Sequence, residues 1–466
     1  MSMQLVHPYE GLFNRLSGIF GIIPTLPDRL SDEDIEGLAR LLPAEMSKTL
    51  KAVLEPGMRE ASLAFFKAVG TWAEKAAHAR ENGKKVVLMP FNFAPEIIYM
   101  FEKAVPVITE GISTLSTAAL DKQGDKYWDF ALSMGLPDTL CSASAIEVGS
   151  LLTGIDFQPD LILSAAPGSC DANSKIHEFT ANYLGLPQIM LEKPADTSRR
   201  ARELYLTYFK AMLREMEEFL EEELDEDHMR SVMEKANRAH DLYDELWEYR
   251  KMVPSPVPNI FNLYIYGTKY TVWGQDEGIT VMQKLIDTCK RRVETGDYPA
   301  PKEIARTYWA YLFYYYDFME FFNWMEKRGI AIVGDMPSTW FTKRIDTTSK
   351  ESMIRDLASN SFDYFMTRQI GGSSVLLNWC DDITWACREL SANALIYCGH
   401  HSCKQTWSVY SQMRNEFMKR TKIPTLLLQG DMWIKRMTPM SSVHQQIDEF
   451  INNVVARPKA SKAQKT

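Results

Sequence analysis

Apolar positions along this chain follow two rhythms. In the first eighty residues they recur at helical spacing. Leu63, Phe66, Val69 and Trp72 predict a helix over 58–81 that stops at Asn82-Gly83. Ser31-Asp32-Glu33-Asp34 reads as an earlier helix start with an acidic first turn. From Lys84 the rhythm changes to short continuous apolar runs with loops and helices between them. KKVVLM at 84–89, DLILSA at 160–165 and PQIML at 187–191 read as buried strands, with a helix over 174–184 between the last two. An apolar stretch after Pro95-Glu96 reads as a helix leading into a further strand by Val107. Residues 197–252 return to a long helical pattern, broken at Pro254, Pro256 and Pro258. Residues 276–328 read as mostly helical, including the aromatic run from Tyr308 to Trp324. GIAIVG at 329–334, NALIYC at 393–398 and PTLLL at 424–428 are again strands, and a last helix covers 441–455.

Strands alternating with helices predict parallel α/β sheets. The fold class expected is α/β, with two flavodoxin- or Rossmann-like parallel-sheet domains bridged by helices and an N-terminal helical extension. The boundaries expected are 1–82 for the extension, 83–200 for the first α/β domain and 201–328 for the helical bridge. The second α/β domain is expected over 329–456, and 457–466 as a polar, basic, disordered tail.

Composition narrows the function. The 466 residues carry 52 Lys and Arg against 61 Asp and Glu, a net charge of −9. That balance argues against a general nucleic-acid binder, which needs a basic surface to displace counterions. No run of about 18 apolar residues occurs, and residues 1–15 lack the basic start and apolar core of a secretory signal. The expectation is a cytoplasmic protein with no membrane segment. Seven cysteines in such a chain read as free thiols or metal ligands, not as a disulfide framework. There is no G-x-S-x-G element and no P-loop, so a serine hydrolase is disfavoured and any use of ATP falls to another protein.

Ligands of open α/β sheets bind beyond the carboxyl ends of the strands. Cys170 follows the strand at 160–165, and Cys403 follows the strand at 393–398 within Gly399-His400-His401-Ser402-Cys403-Lys404. Cys141 lies in Pro137-Asp138-Thr139-Leu140-Cys141-Ser142, after a predicted helix and turn. Dispersed thiols of this kind suit a metal cluster better than a zinc knuckle, whose ligands come in close pairs. Buried unreactive thiols are the competing reading of the same spacing.

Gly168-Ser169-Cys170-Asp171 with Lys175, and above all residues 392–431, resemble the 2-hydroxyacyl-CoA dehydratase family, which includes the benzoyl-CoA reductase subunits. Pro137-Asp138 to Cys141 stands where that family places its first cysteine, and Pro95-Glu96 resembles its Pro-Glu element. The resemblance covers roughly 84–455. It implies that Cys141, Cys170 and Cys403 bind one [4Fe-4S] cluster with one iron open to water or substrate. It also implies an acyl-CoA substrate, a homologous second subunit and a separate ATP-dependent iron–sulfur activator. The activity implied is loss of water from an (R)-2-hydroxyacyl-CoA through a ketyl radical made by one low-potential electron. The alternatives are a benzoyl-CoA reductase-like subunit acting on an aromatic or unsaturated acyl-CoA, and a non-catalytic subunit that carries a cluster for electron transfer or as a scaffold.

Within this reading Glu96, His400 and His401 are the candidate acid–base or hydrogen-bonding groups. Lys175 and Lys404 are candidates for the CoA phosphates or the cluster charge, and Asp431 is a candidate support for the site. Two positions depart from the family pattern: Ala145 and His444 stand where Arg is common. Cys380, Cys387 and Cys398 could extend the thiol set to a double-cubane cluster, with buried structural thiols the favoured reading for them and for Cys289.

Overall fold

The computed structural model describes residues 23–41, 44–91, 93–118, 123–153, 158–166, 170–194, 196–363 and 375–456. Pro167, Gly168 and Ser169 and the tail from 457 lie outside the described residues. Among the described residues, eight strands form two four-stranded sheets, every pairing parallel. The first sheet holds β1 (Lys85–Met89), β2 (Ala104–Ile108), β3 (Leu161–Ala166) and β4 (Gln188–Glu192), in the order β2-β1-β3-β4. The second holds β5 (Ala305–Tyr311), β6 (Ile330–Asp335), β7 (Ala394–His400) and β8 (Thr425–Gly430), in the order β6-β5-β7-β8.

The two orders are the same topology used twice. In each sheet the second strand lies on one side of the first and the third lies on the other. The chain therefore reverses direction across the sheet between β1 and β3, and again between β5 and β7. Such switch points open a crevice at the carboxyl ends of the strands.

The strands form because their apolar residues are continuous. β1, β2 and β6 are buried on both faces apart from Lys85, as expected for parallel strands covered by helices. β2 carries Pro106, which cannot donate to a ladder, and it occupies an edge of its sheet. Trp72, on the helix Arg59–Ala77, covers that edge and donates from Nε1 to the Pro106 carbonyl at 2.9 Å. The helix Asp32–Arg40 starts at Ser31 with a reciprocal capping box to Asp34.

One reading of the sequence is corrected here. The aromatic run from Tyr308 was expected to be helical, yet 305–311 is β5, central in the second sheet and paired with both β6 and β7. Its Thr, Tyr and Trp residues favour a pleated strand, and no Gly or Pro marks where it ends. Between the sheets run the helices Arg199–Leu220 and Glu226–Lys251. Arg202 holds Asp363 through two hydrogen bonds of 2.7 Å, which ties this helical layer to the second half. A single cluster of buried apolar side chains runs through both halves.

Candidate functional site

The three cysteines occupy corresponding places in local structure. Cys170 is the N-cap of the helix Asp171–Leu184, and Cys403 is the N-cap of the helix Lys404–Thr421. Cys141 immediately precedes the helix Ser142–Thr153, and its carbonyl accepts from the Ala145 amide at 2.9 Å. Cys170 and Cys403 each follow the third strand of their sheet, so they sit at matching positions of the repeated topology. The start of a helix carries unpaired amides and partial positive charge, which favours an anion there.

The structure brings the three side chains into mutual electrostatic reach. Burial pushes the Cys141 thiol well up, and the charges of Cys170 and Cys403 add to it; the Ser144 and Ala143 amides pull the other way. Burial likewise raises Cys170 to about 12, with Cys403 the next cause, opposed by the Asn173 and Ala172 amides. Three thiols that repel one another as anions, Cys403 buried and Cys141 and Cys170 half-buried, are a donor set that a cationic centre neutralises. Among the described residues no three His, Cys, Asp or Glu side chains close on a single metal ion. Thiolates that each bind a different iron of one cluster need not do so, and these residues fit such a group.

Polar contacts fix the three cysteine-bearing loops relative to one another. One turn into their helices, Ser144 donates to Asn173 at 3.2 Å, joining the Cys141 and Cys170 helices. Asn173 also donates to Glu110 at 2.6 Å. Burial, reinforced by Glu147, raises the Glu110 carboxyl to about 7. Ser142 donates to Asp431 at 2.9 Å, and its hydroxyl lies 3.3 Å from His400 Nε2. His400 Nε2 is also 2.9 Å from the Ser402 hydroxyl. Asp431 accepts the Trp433 and Ile434 amides at 2.9 and 2.8 Å, which shapes the turn after β8. Tyr311, the last residue of β5, places its hydroxyl 3.3 Å from Cys403 Sγ.

The remaining predicted residues lie in different settings. His400 is fully buried at the end of β7, and burial lowers its pKa. His401 is about half exposed, with Nδ1 3.9 Å from Asp431. Glu96 is buried and pairs with Lys269 at 3.0 Å, beside a narrow crevice that His240 and Trp273 also line. Lys269 lies over the Trp273 ring at 4.5 Å. Lys175 is exposed and pairs with Glu178 at 3.4 Å, and Lys404 is exposed directly after Cys403. Ala145 is fully buried, and His444 stacks on Trp324 at 4.0 Å. Cys289, Cys380, Cys387 and Cys398 are buried, and burial is the largest influence on each.

Sequence reasoning did not single out Ser142, Lys269, Glu110 or Tyr311. Ser142 adjoins a named cysteine and was within reach. Tyr311, Lys269 and Glu110 meet Cys403, Glu96 and Asn173 only through folding, from 92, 173 and 63 positions away.

Two parallel sheets, with two thiols at their matching switch points and a third at the start of the helix Ser142–Thr153, define a two-domain α/β protein with a thiol-lined centre. The profile of the 2-hydroxyglutaryl-CoA dehydratase D-component family matches residues 91–454, and the chain belongs to that family. Over 231 residues it is 23% identical to the (R)-phenyllactyl-CoA dehydratase alpha subunit of Clostridium sporogenes, covering 47% of this chain and 56% of that one. Over 280 residues it is 24% identical to the (R)-2-hydroxyglutaryl-CoA dehydratase alpha subunit of Acidaminococcus fermentans, covering 59% of this chain and 56% of that one. The chain thus spans a little over half the length of these relatives. Among the described residues no helix is long and apolar enough to cross a membrane.

Proposed function

We propose that this chain is an iron–sulfur subunit of a 2-hydroxyacyl-CoA dehydratase-type enzyme that removes water from an (R)-2-hydroxyacyl-CoA through a ketyl radical. The observation that carries the reading is the meeting of Cys141, Cys170 and Cys403, each at a helix start and two of them at matching switch points. These three thiolates would hold a [4Fe-4S] cluster. When bound, the cluster would supply a low-potential electron and one iron free to act as a Lewis acid.

The chain's own residues have distinct parts in this reading. The first-turn amides of the three helices stabilise negative charge on the sulfurs. Ser142, Asp431 and His400 hold the Cys141 helix against the Cys403 loop, and Ser144 and Asn173 hold it against the Cys170 helix. Glu96 is the acid–base candidate, oriented by Lys269 at the carboxyl end of β1. His401, exposed beside the site, is a candidate donor to the thioester oxygen. Lys404 and Lys175 are surface cations available to the CoA phosphates. A homologous second subunit and an ATP-dependent iron–sulfur activator complete the system, in keeping with the alpha-subunit naming of both relatives.

Anaerobic purification with iron and sulfide analysis tests this directly. The expected result is about four irons per chain, lost in C141S, C170S and C403S but retained when Cys289 or Cys398 is changed. Turnover of a panel of (R)-2-hydroxyacyl-CoA and aryl-CoA thioesters, with the partner and activator present, then separates dehydratase from reductase chemistry. A full cluster with no turnover of either class would leave the chain a cluster carrier.

A further inference from the structure

We propose that Tyr311 is a positioning residue for the thiol centre: its phenol donates a hydrogen bond to the Cys403 sulfur and raises the potential at which a cluster held there accepts an electron. The proposal rests on the cluster reading above.

Three observations carry it. The Tyr311 hydroxyl lies 3.3 Å from Cys403 Sγ, within hydrogen-bond range for sulfur. With a free thiol either atom can donate, but a metal-bound thiolate has no proton, so the phenol becomes the donor. Tyr311 also has a backbone φ of +80°, in the left-handed region that bulky residues rarely adopt. Such conformations persist where the surroundings impose them, and they concentrate at functional sites. Finally, Tyr311 ends β5, beside the strand whose loop carries Cys403, so it stands at the switch point of the second sheet. The left-handed turn ends the strand there while the phenol stays at the thiol, flanked by Trp379 at 5.7 Å.

The direction of the effect follows from charge. Reduction adds an electron to the cluster and its sulfurs. A donor to a ligating sulfur stabilises the more negative, reduced form, and so raises the potential. Removing the hydroxyl removes that stabilisation and leaves the ring's packing in place.

The test is an EPR-monitored redox titration of the anaerobically reconstituted full chain, with iron counted in each sample. Wild type is compared with Tyr311→Phe and with protein carrying 3-fluorotyrosine at position 311, whose more acidic phenol is a stronger donor. The expected result is a lower midpoint potential in the Phe variant and a higher one in the fluorotyrosine protein, at unchanged iron content. Equal potentials across fully loaded proteins would overturn the proposal. Should the Phe variant lose iron, the fluorotyrosine protein decides: an upward shift supports the hydrogen bond and no shift overturns it. An absence of iron from wild type would instead defeat the cluster reading, and this inference with it.

Discussion

Ser142 and Asp431 stand 289 positions apart in the chain and share a 2.9 Å hydrogen bond in the buried interior. Ser142 opens the helix behind Cys141, and Asp431 directly follows β8, the neighbour of the strand whose loop carries Cys403. The bond therefore fastens the first half of the chain to the second beside the thiols. Asp431 also accepts two backbone amides, which would be left unpaired without it. We expect Ser142→Ala to cost about 1 kcal/mol in urea unfolding and Asp431→Ala about 2–4 kcal/mol, because only the second strands several buried donors. Equal, small losses would show that the turn after β8 is held by other contacts.

That bond also marks the limit of what the sequence reveals. β1, β3, β4, β6, β7 and β8 are legible as unbroken apolar runs bounded by Gly, Pro or charged residues. β5 is not, because ARTYWAY runs into LFYYYDF without a turn signal and its aromatic residues also suit a helix. The cysteines are legible as residues placed after strands. Their meeting is not, since it depends on two sheets of the same topology opening their switch points toward each other. Glu96 shows the same gap. Its place after β1 is readable, but its partner Lys269 comes from a helix 173 positions later.

The Glu96–Lys269 pair leads to a second prediction. Both side chains are buried, so neither charge is well solvated without the other. Lys269→Met leaves a buried carboxylate without its cation and is expected to cost about 3–5 kcal/mol. Adding Glu96→Gln removes the stranded charge and should restore part of that loss. A double-mutant cycle by urea denaturation measures the coupling, and strict additivity would show that the two charges do not sense each other.

Asp335 gives a pH dependence of defined sign. It is fully buried at the end of β6, and burial raises its carboxyl from 3.8 to about 6 despite the pull of Arg250 and Ser338. The folded chain therefore binds this proton more tightly than the unfolded chain does. The stability it contributes is complete below about pH 4 and is lost as the pH rises through 6. Asp335→Asn does not titrate. Its stability relative to wild type should rise by up to about 3 kcal/mol between pH 4 and pH 7, at about 1.4 kcal/mol per pKa unit. Urea midpoints for both proteins across that range provide the measurement, and a constant difference would contradict the raised carboxyl.

The packing of the Cys141 helix can be tested through a single atom. Gly149 lies within Ser142–Thr153, where an exchange of Gly for Ala ordinarily stabilises a helix by about 1 kcal/mol. Here a β-carbon would stand 2.1 Å from the Tyr127 carbonyl oxygen on the neighbouring helix Gln123–Ser133. That contact is with backbone, which cannot swing aside as a flexible side chain can, so the two helices must separate. The overpacking cost, typically about 1–3 kcal/mol or more, outweighs the propensity gain. Gly149→Ala should therefore lower the melting temperature. It should also weaken iron retention on anaerobic gel filtration, because the same helix sets the position of Cys141. A variant as stable as wild type, with its full iron content, would mean that the two helices separate at little cost and that Cys141 does not depend on their close approach.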